Sequence, residues 1–313
     1  MKKFLRRFSV VAGLSFALIA AGCGADDSTG TNGGNDNNNS NGGQEEAPSV
    51  SVGEQLDYTI TGIDPGAGIM SAAETAIEEY NLEGFNLQAS SDAAMTAALA
   101  VAYENEEPIV ITGWTPHWKF AEFDLKYLED PKQIFGDAEQ VHTMARLGLD
   151  EDHPSAYEVL NNFFWEQEDI GDMMIAINEG GNPEQVAADW VAANQDKVSS
   201  WTDGVATVDG DRLTLVYVQW DCATASTHMI AEVLKGIGYN VELIAIQANS
   251  MWQAIAEGSA DAMVTAWLPA THKHLYEDFQ DNVEDLGVNL EGAGIGLVVP
   301  AYMDINSIED LNN

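Results

Sequence analysis

From Leu56 onward, short apolar runs of four to seven residues alternate with longer stretches whose apolar positions recur every three to four residues. The first spacing predicts buried strands and the second amphipathic helices. Tyr58-Thr-Ile-Thr-Gly62 reads as a strand that runs into Asp64-Pro-Gly-Ala-Gly-Ile-Met70, a Gly-rich turn opening a helix through about Tyr80. A strand over 85–89, a helix over 92–104 and a short buried strand over 108–112 follow, the last ending at Gly113-Trp114. Helices are expected over 137–147, 154–163, 166–179 and 183–199. A second round begins with a strand over 213–219 ending at Trp220. It continues with a helix over 223–237 stopped by Gly238, a strand over 241–246, a helix over 250–257 and a strand over 260–265 ending at Ala266-Trp267. A last strand, Gly296 to Pro300, precedes a helical turn over 308–311. Strands alternating with helices predict an α/β fold with largely parallel sheet covered on both faces.

The two rounds echo each other. Their third strands end in Ile-Thr-Gly-Trp-Thr-Pro (111–116) and Val-Thr-Ala-Trp-Leu-Pro (264–269). Two similar lobes imply a ligand cleft between them; a single larger doubly wound sheet is the structural alternative.

The N-terminal residues follow different rules. Lys2, Lys3, Arg6 and Arg7 precede the apolar stretch Phe8–Ala21, which is short for a membrane span and reads as an export signal. Ala20-Ala21-Gly22-Cys23 resembles a bacterial lipoprotein cleavage site, with Cys23 as the lipidated first residue; Ala20 stands where that pattern usually has Leu. Residues 1–22 are thus expected to be a signal peptide and 23–54 a flexible tether, rich in Gly, Asn, Ser and acidic residues. With only Cys23 and Cys222 in the chain, no disulfide framework is expected. Removing residues 1–22 takes four of the 12 basic residues and none of the 51 acidic ones, so the net charge moves from −39 to about 8 − 51 = −43. Such a chain lacks the clustered Lys and Arg that nucleic acid requires; the acidity reads as a solvated surface suited to high salt or unusual external pH.

Candidate chemistry gathers at strand ends, where open α/β sheets bind ligands. Trp114, Trp220 and Trp267 all occupy such ends. One Trp there is commonly core or cap, but three at matching positions could line one box. Indole faces attract a cation without offering it a hydrogen bond, which suits a quaternary ammonium, at ~0.5–2 kcal/mol per ring. The Gly66–Met70 turn supplies a second half: free amides of Gly68 and Ile69 at a helix start can hold a carboxylate. An ordinary strand-to-helix turn would carry the same sequence. The turn has neither a P-loop Lys nor a dinucleotide fingerprint. His272 could donate to the same carboxylate. His272-x-His274 has no third ligand at metal-site spacing, so no metal and no cofactor are expected. His117, beside Trp114, is read as shaping its loop, and Trp118, Trp165, Trp190, Trp201 and Trp252 as packing. An enzyme would need Cys222 as nucleophile with His228 or His272 as base, and no surrounding motif orients such a pair. A displayed structural or sensory protein is a third reading.

Residues 56–311 are similar to the substrate-binding proteins of osmoprotectant ABC importers, the glycine betaine-binding lipoprotein family. The resemblance rests on Gly62-Ile-Asp-Pro-Gly-Ala-Gly-Ile-Met70, Ser91-Asp-Ala-Ala-Met95, Gly113-Trp-Thr-Pro-His-Trp118, Asp124-Leu-Lys-Tyr-Leu-Glu-Asp-Pro131, Ala266-Trp-Leu-Pro-Ala-Thr-His272 and Gly296-Leu-Val-Val-Pro300. It implies a two-lobed periplasmic-binding-protein fold of type II, with lobe I as 55–149 plus 284–313 and lobe II as 150–283. It implies a cage of Trp114, Trp220 and Trp267 around a trimethylammonium. The carboxylate would be held by the Gly68 and Ile69 amides and by His272. The implied partners are glycine betaine, or alternatively proline betaine, carnitine or choline, and an importer permease with its ATPase. The expected protein is a non-enzymatic monomer, anchored by lipid to the outer face of the cytoplasmic membrane. Cys222 has no counterpart among these motifs.

Overall fold

The computed structural model describes residues 50–313. The expected leader, Cys23 and nearly all of the tether therefore lie outside the described residues; at the tether's end, Val52–Gln55 is a helical turn capped by Ser51.

Nine strands are present among the described residues: β1 (Thr59–Thr61), β2 (Asn86–Gln88), β3 (Val110–Thr115), β4 (Leu125–Tyr127), β5 (Glu139–Arg146), β6 (Arg212–Tyr217), β7 (Asn240–Ala245), β8 (Ala262–Leu268) and β9 (Val283–Pro300). They run in the order β2-β1-β3-β9-β5-β8-β6-β7, with β4 also on β9. Parallel pairs β1–β2 and β1–β3 form one end, and parallel pairs β6–β7 and β6–β8 the other. Antiparallel β9 joins the two groups. Its residues 294–300 pair with β3 and β4, and its residues 283–293 with β5. The chain thus changes strand group between β4 and β5 and again inside β9 near 293–294; the sequence expectation put these changes near 150 and 285.

Local chemistry explains most elements. Ser91 caps the helix Asp92–Glu104 by accepting from the Ala94 amide at 3.2 Å, which satisfies a donor the helix cannot. Asn182 does the same for Pro183–Ala193, with Pro183 in the first turn where its missing N–H costs nothing. Gly238, at φ +107°, lets the chain leave Asp221–Gly236 in a left-handed turn. All seven residues of β8 are buried, as expected for a central strand covered on both faces.

Three expectations need correction. Residues 139–146 are a strand, not part of a helix over 137–147. Val141, Met144 and Ala145 have helical spacing, but β5 is paired on both sides, by β8 and β9, and that tertiary pairing overrides the local period. Its register shifts between His142 and Met144, a bulge that produces the misleading spacing. The helix expected over 183–199 breaks at Asn194, whose side chain donates to the Trp190 carbonyl at 2.9 Å, and a new helix, Gln195–Thr202, begins. The last strand is 18 residues long rather than five; Gly287 and Gly292, both at positive φ, break its alternation.

Candidate ligand cavity

The strand ends converge on one cavity. Trp114, Trp220, Trp267, Gly68, Ile69 and His272, all six candidate ligand residues, line it. The three indoles are each more than nine-tenths buried. Sequence reasoning missed Cys222, Thr271 and Ile295, which share the lining.

The first round of the fold contributes Trp114 and the helix Gly68–Glu79. The N-cap of that helix, Ala67, has no side chain able to cap it, so the first amides are left to face the cavity. Gly68 is required by sterics: a Cβ there would overlap the Thr271 carbonyl. This contact brings the helix start against the segment after β8.

The second round contributes Trp220, Trp267 and His272. Trp220 is oriented across the cleft, its Nε1 donating to Asp64 Oδ2 at 3.1 Å. Glu139 holds the loop after β8, accepting from the amides of Ala270 and Thr271 at 2.8 and 2.7 Å and from the Thr271 hydroxyl. Neither Asp64 nor Glu139 was singled out from sequence, although Asp64 belongs to the Gly-rich motif that was.

His272 is fully buried. Its Nδ1 accepts from the Trp267 amide at 3.0 Å, and its own amide donates to the Trp267 carbonyl at 2.9 Å. Burial, with His274 adding to it, pushes its pKa down to about 3. The ring is therefore neutral, and because Nδ1 is an acceptor the proton sits on Nε2. Nε2 has no partner among the described residues. A buried N–H without a partner is costly unless something fills the site, and here the ring lines the cavity. It stacks on Trp220 at 6.2 Å and 29° and meets Trp252 edge-on at 6.0 Å, so Trp252, read as packing, holds the histidine.

Behind Trp114 lies a polar cluster that sequence reasoning did not assemble. Asp92 Oδ1 lies 3.2 Å from His117 Nε2, and Asp92 Oδ2 accepts from the Asp221 amide at 2.9 Å. Trp118 Nε1 donates to Asp221 Oδ2. His117 Nδ1 accepts from the Lys119 amide at 3.2 Å, which assigns the ring proton to Nε2. Burial and Lys119 push His117 down to about 4. Burial opposes ionisation of Asp92, but its bonds to His117 and the Asp221 amide, with Lys119 nearby, win and lower its pKa. Asp92 and His117 come from the first round of the fold and Asp221 from the second, so the cluster ties the two together. Three of its atoms lie within 4.8 Å of one another, yet they are already committed to each other, to Trp118 and to the Asp221 amide. Cys222 offers no nucleophile: burial, with Asp92 adding to it, pushes its thiol up to about 12.

The chain resembles known proteins along most of its length. It belongs to the family described as the substrate binding domain of ABC-type glycine betaine transport systems, matched over residues 43–193 and 211–313. It is 54% identical over 263 residues to the glycine betaine/carnitine transport binding protein GbuC of Listeria monocytogenes, covering 83% of this chain and 88% of that protein. Among solved structures, the lactococcal OpuAC complexed with glycine betaine matches at 38% identity and a TM-score of 0.43, over 50% of this chain and 63% of that one. A glycine betaine/L-proline-binding protein, ProX, from Borrelia burgdorferi matches at 34% identity and a TM-score of 0.47, over 50% and 62%. The family is one of binding domains rather than enzymes.

Proposed function

We propose that this protein captures glycine betaine, or a closely related betaine, between two lobes and presents it to an ABC importer. The observation that carries the reading is the pairing, in one cavity, of three indoles with a buried neutral imidazole whose Nε2–H lacks a partner. The indoles suit a charge that cannot donate hydrogen bonds. The imidazole and the amides of Gly68 and Ile69 suit a carboxylate a few bonds away. A ligand with only one of these groups wastes half the site.

The lobes in this reading are the two strand groups joined by β9. Thr271 against Gly68, Asp64 on Trp220 and Asp221 on Asp92 and Trp118 are the contacts that hold them together around the ligand. The leader and Cys23 support export and lipid anchoring outside the cytoplasmic membrane, with residues 23–54 as tether and the protein acting as a monomer. The name of the Listeria relative adds carnitine as a second ligand to test.

Calorimetric titration with glycine betaine, proline betaine, carnitine and choline tests the reading. Glycine betaine should bind at least tenfold more tightly than choline, about 1.4 kcal/mol, because choline leaves His272 unpaired. Choline binding as tightly as glycine betaine would overturn the two-part site.

A further inference from the structure

We propose that Lys119, buried on the far side of Trp114 from the cavity, sets the strength of the cage: its ammonium opposes a methylated cation on the indole's open face, so loss of its proton tightens binding. The inference rests on the betaine reading of the cavity and adds a residue that does not touch the ligand.

Lys119 is fully buried. Its Nζ lies 3.9 Å from the centroid of the Trp114 ring, while the residue itself is absent from the cavity lining. Trp114 is thus shared between a buried cation and the cavity it lines. Beside Trp114, Gly113 lets β3 lie close against Val298 of β9, whose Cγ2 a Cβ there would overlap. The ammonium has no hydrogen-bond partner among the described residues, so the indole face and the charge of nearby Asp92 are what stabilise it. A quadrupole already engaged by one cation is a weaker host for a second, and the two positive charges repel through a ring in a low-dielectric interior.

Each group facing Lys119 can be assigned. The helix Asp92–Glu104 contributes Asp92, whose oxygens are engaged by His117 and the Asp221 amide. The loop after β3 contributes His117, neutral above about 4. The helix Asp221–Gly236 contributes Asp221, raised by burial and by Asp92, and Cys222, protonated up to about 12. The Phe120 ring lies 5.6 Å from the ammonium. Burial, only partly offset by Asp92, Cys222 and Asp221, lowers Lys119 itself to about 7. Lys119 is then the member of the cluster that changes charge across neutral pH.

The experiment is calorimetric titration of glycine betaine into the wild-type protein and Lys119→Met between pH 6 and 9. Wild-type affinity should rise with pH by roughly three- to thirtyfold. The methionine variant should be pH-independent and bind at least as tightly as the wild type at pH 9. Repeating the wild-type titration at pH 7 in two buffers of different ionisation enthalpy reads the coupled proton directly, without any variant; a fraction of a proton should be released on binding. Tight binding that is flat with pH, a Lys119→Met profile that follows the wild type, or no proton release would overturn the role of Lys119 while leaving the cage intact. Absence of glycine betaine binding at every pH would overturn the functional reading and this inference with it.

Discussion

Replacing Trp267 with alanine removes one of the three indoles around the cavity while leaving the opposite end of the site in place. Trp267 lies near the end of β8 and is 5% exposed. His272 is fixed by the amide and carbonyl of residue 267 and not by its indole, so the variant keeps the imidazole donor. The loss is one cation–π contact, ~0.5–2 kcal/mol. To this is added the apolar contact between methyl groups and indole; about 40 Å² of it contributes about 1 kcal/mol. The sum predicts a Kd raised roughly 10- to 150-fold. Trp267→Phe, which keeps a smaller aromatic face, should fall between the two. Because emptying a buried indole site also lowers stability by about 3–5 kcal/mol, the titration is run well below a melting temperature measured for each variant. A folded Trp267→Ala protein that binds glycine betaine within twofold of wild type would refute the cage.

Other substitutions probe other parts. His272→Phe keeps a ring beside Trp220 but removes the Nε2 donor. A hydrogen bond to a carboxylate contributes about 1.5–3 kcal/mol, so calorimetry should show affinity reduced roughly 10- to 150-fold for glycine betaine and little changed for choline; equal losses for both ligands would contradict the assignment. Gly68→Ala drives a methyl into the Thr271 carbonyl and should weaken glycine betaine binding more than tenfold with little change in the melting temperature of the ligand-free protein, whereas unchanged affinity would show that the contact is dispensable. Lys119→Met should stabilise the fold. The folded-state pKa, about 7, lies below the ordinary 10.5, so between those values the unfolded chain holds more protons and stability rises with pH. Removing the group at pH 7 should add up to about 4 kcal/mol, and the advantage should shrink towards pH 10. Denaturation midpoints of the two proteins at pH 7 and pH 10 measure this, and a variant less stable at pH 7 would contradict it.

The cavity residues were legible because they sit at strand ends, and strand ends are marked by short apolar runs that stop abruptly. Trp114, Trp220 and Trp267 were found by that rule, and Gly68 and Ile69 by the glycine-marked helix start. Asp64, Glu139 and Trp252 were not, because each acts on a cavity residue from a distance in sequence: Asp64 reaches Trp220 over 156 positions and Glu139 reaches Thr271 over 132. No local pattern records such pairs. The polar cluster behind Trp114 was invisible for the same reason, since His117 was read with Trp114 alone and Asp92 as a helix-start residue.

The sequence by itself determined roughly where the strands stop, which side chains stand at those stops, and that their chemistry suits a cation without donors joined to an acid. These follow from local periodicity and from side-chain chemistry, which the neighbouring residues already define. Only the tertiary structure decided that 139–146 pairs as a strand, that β9 runs through both strand groups, which nitrogen of His272 carries the proton, and that a lysine stands behind Trp114. Each of these depends on partners brought together by pairing and burial, so the free energy that selects them exists only once the chain has closed on itself.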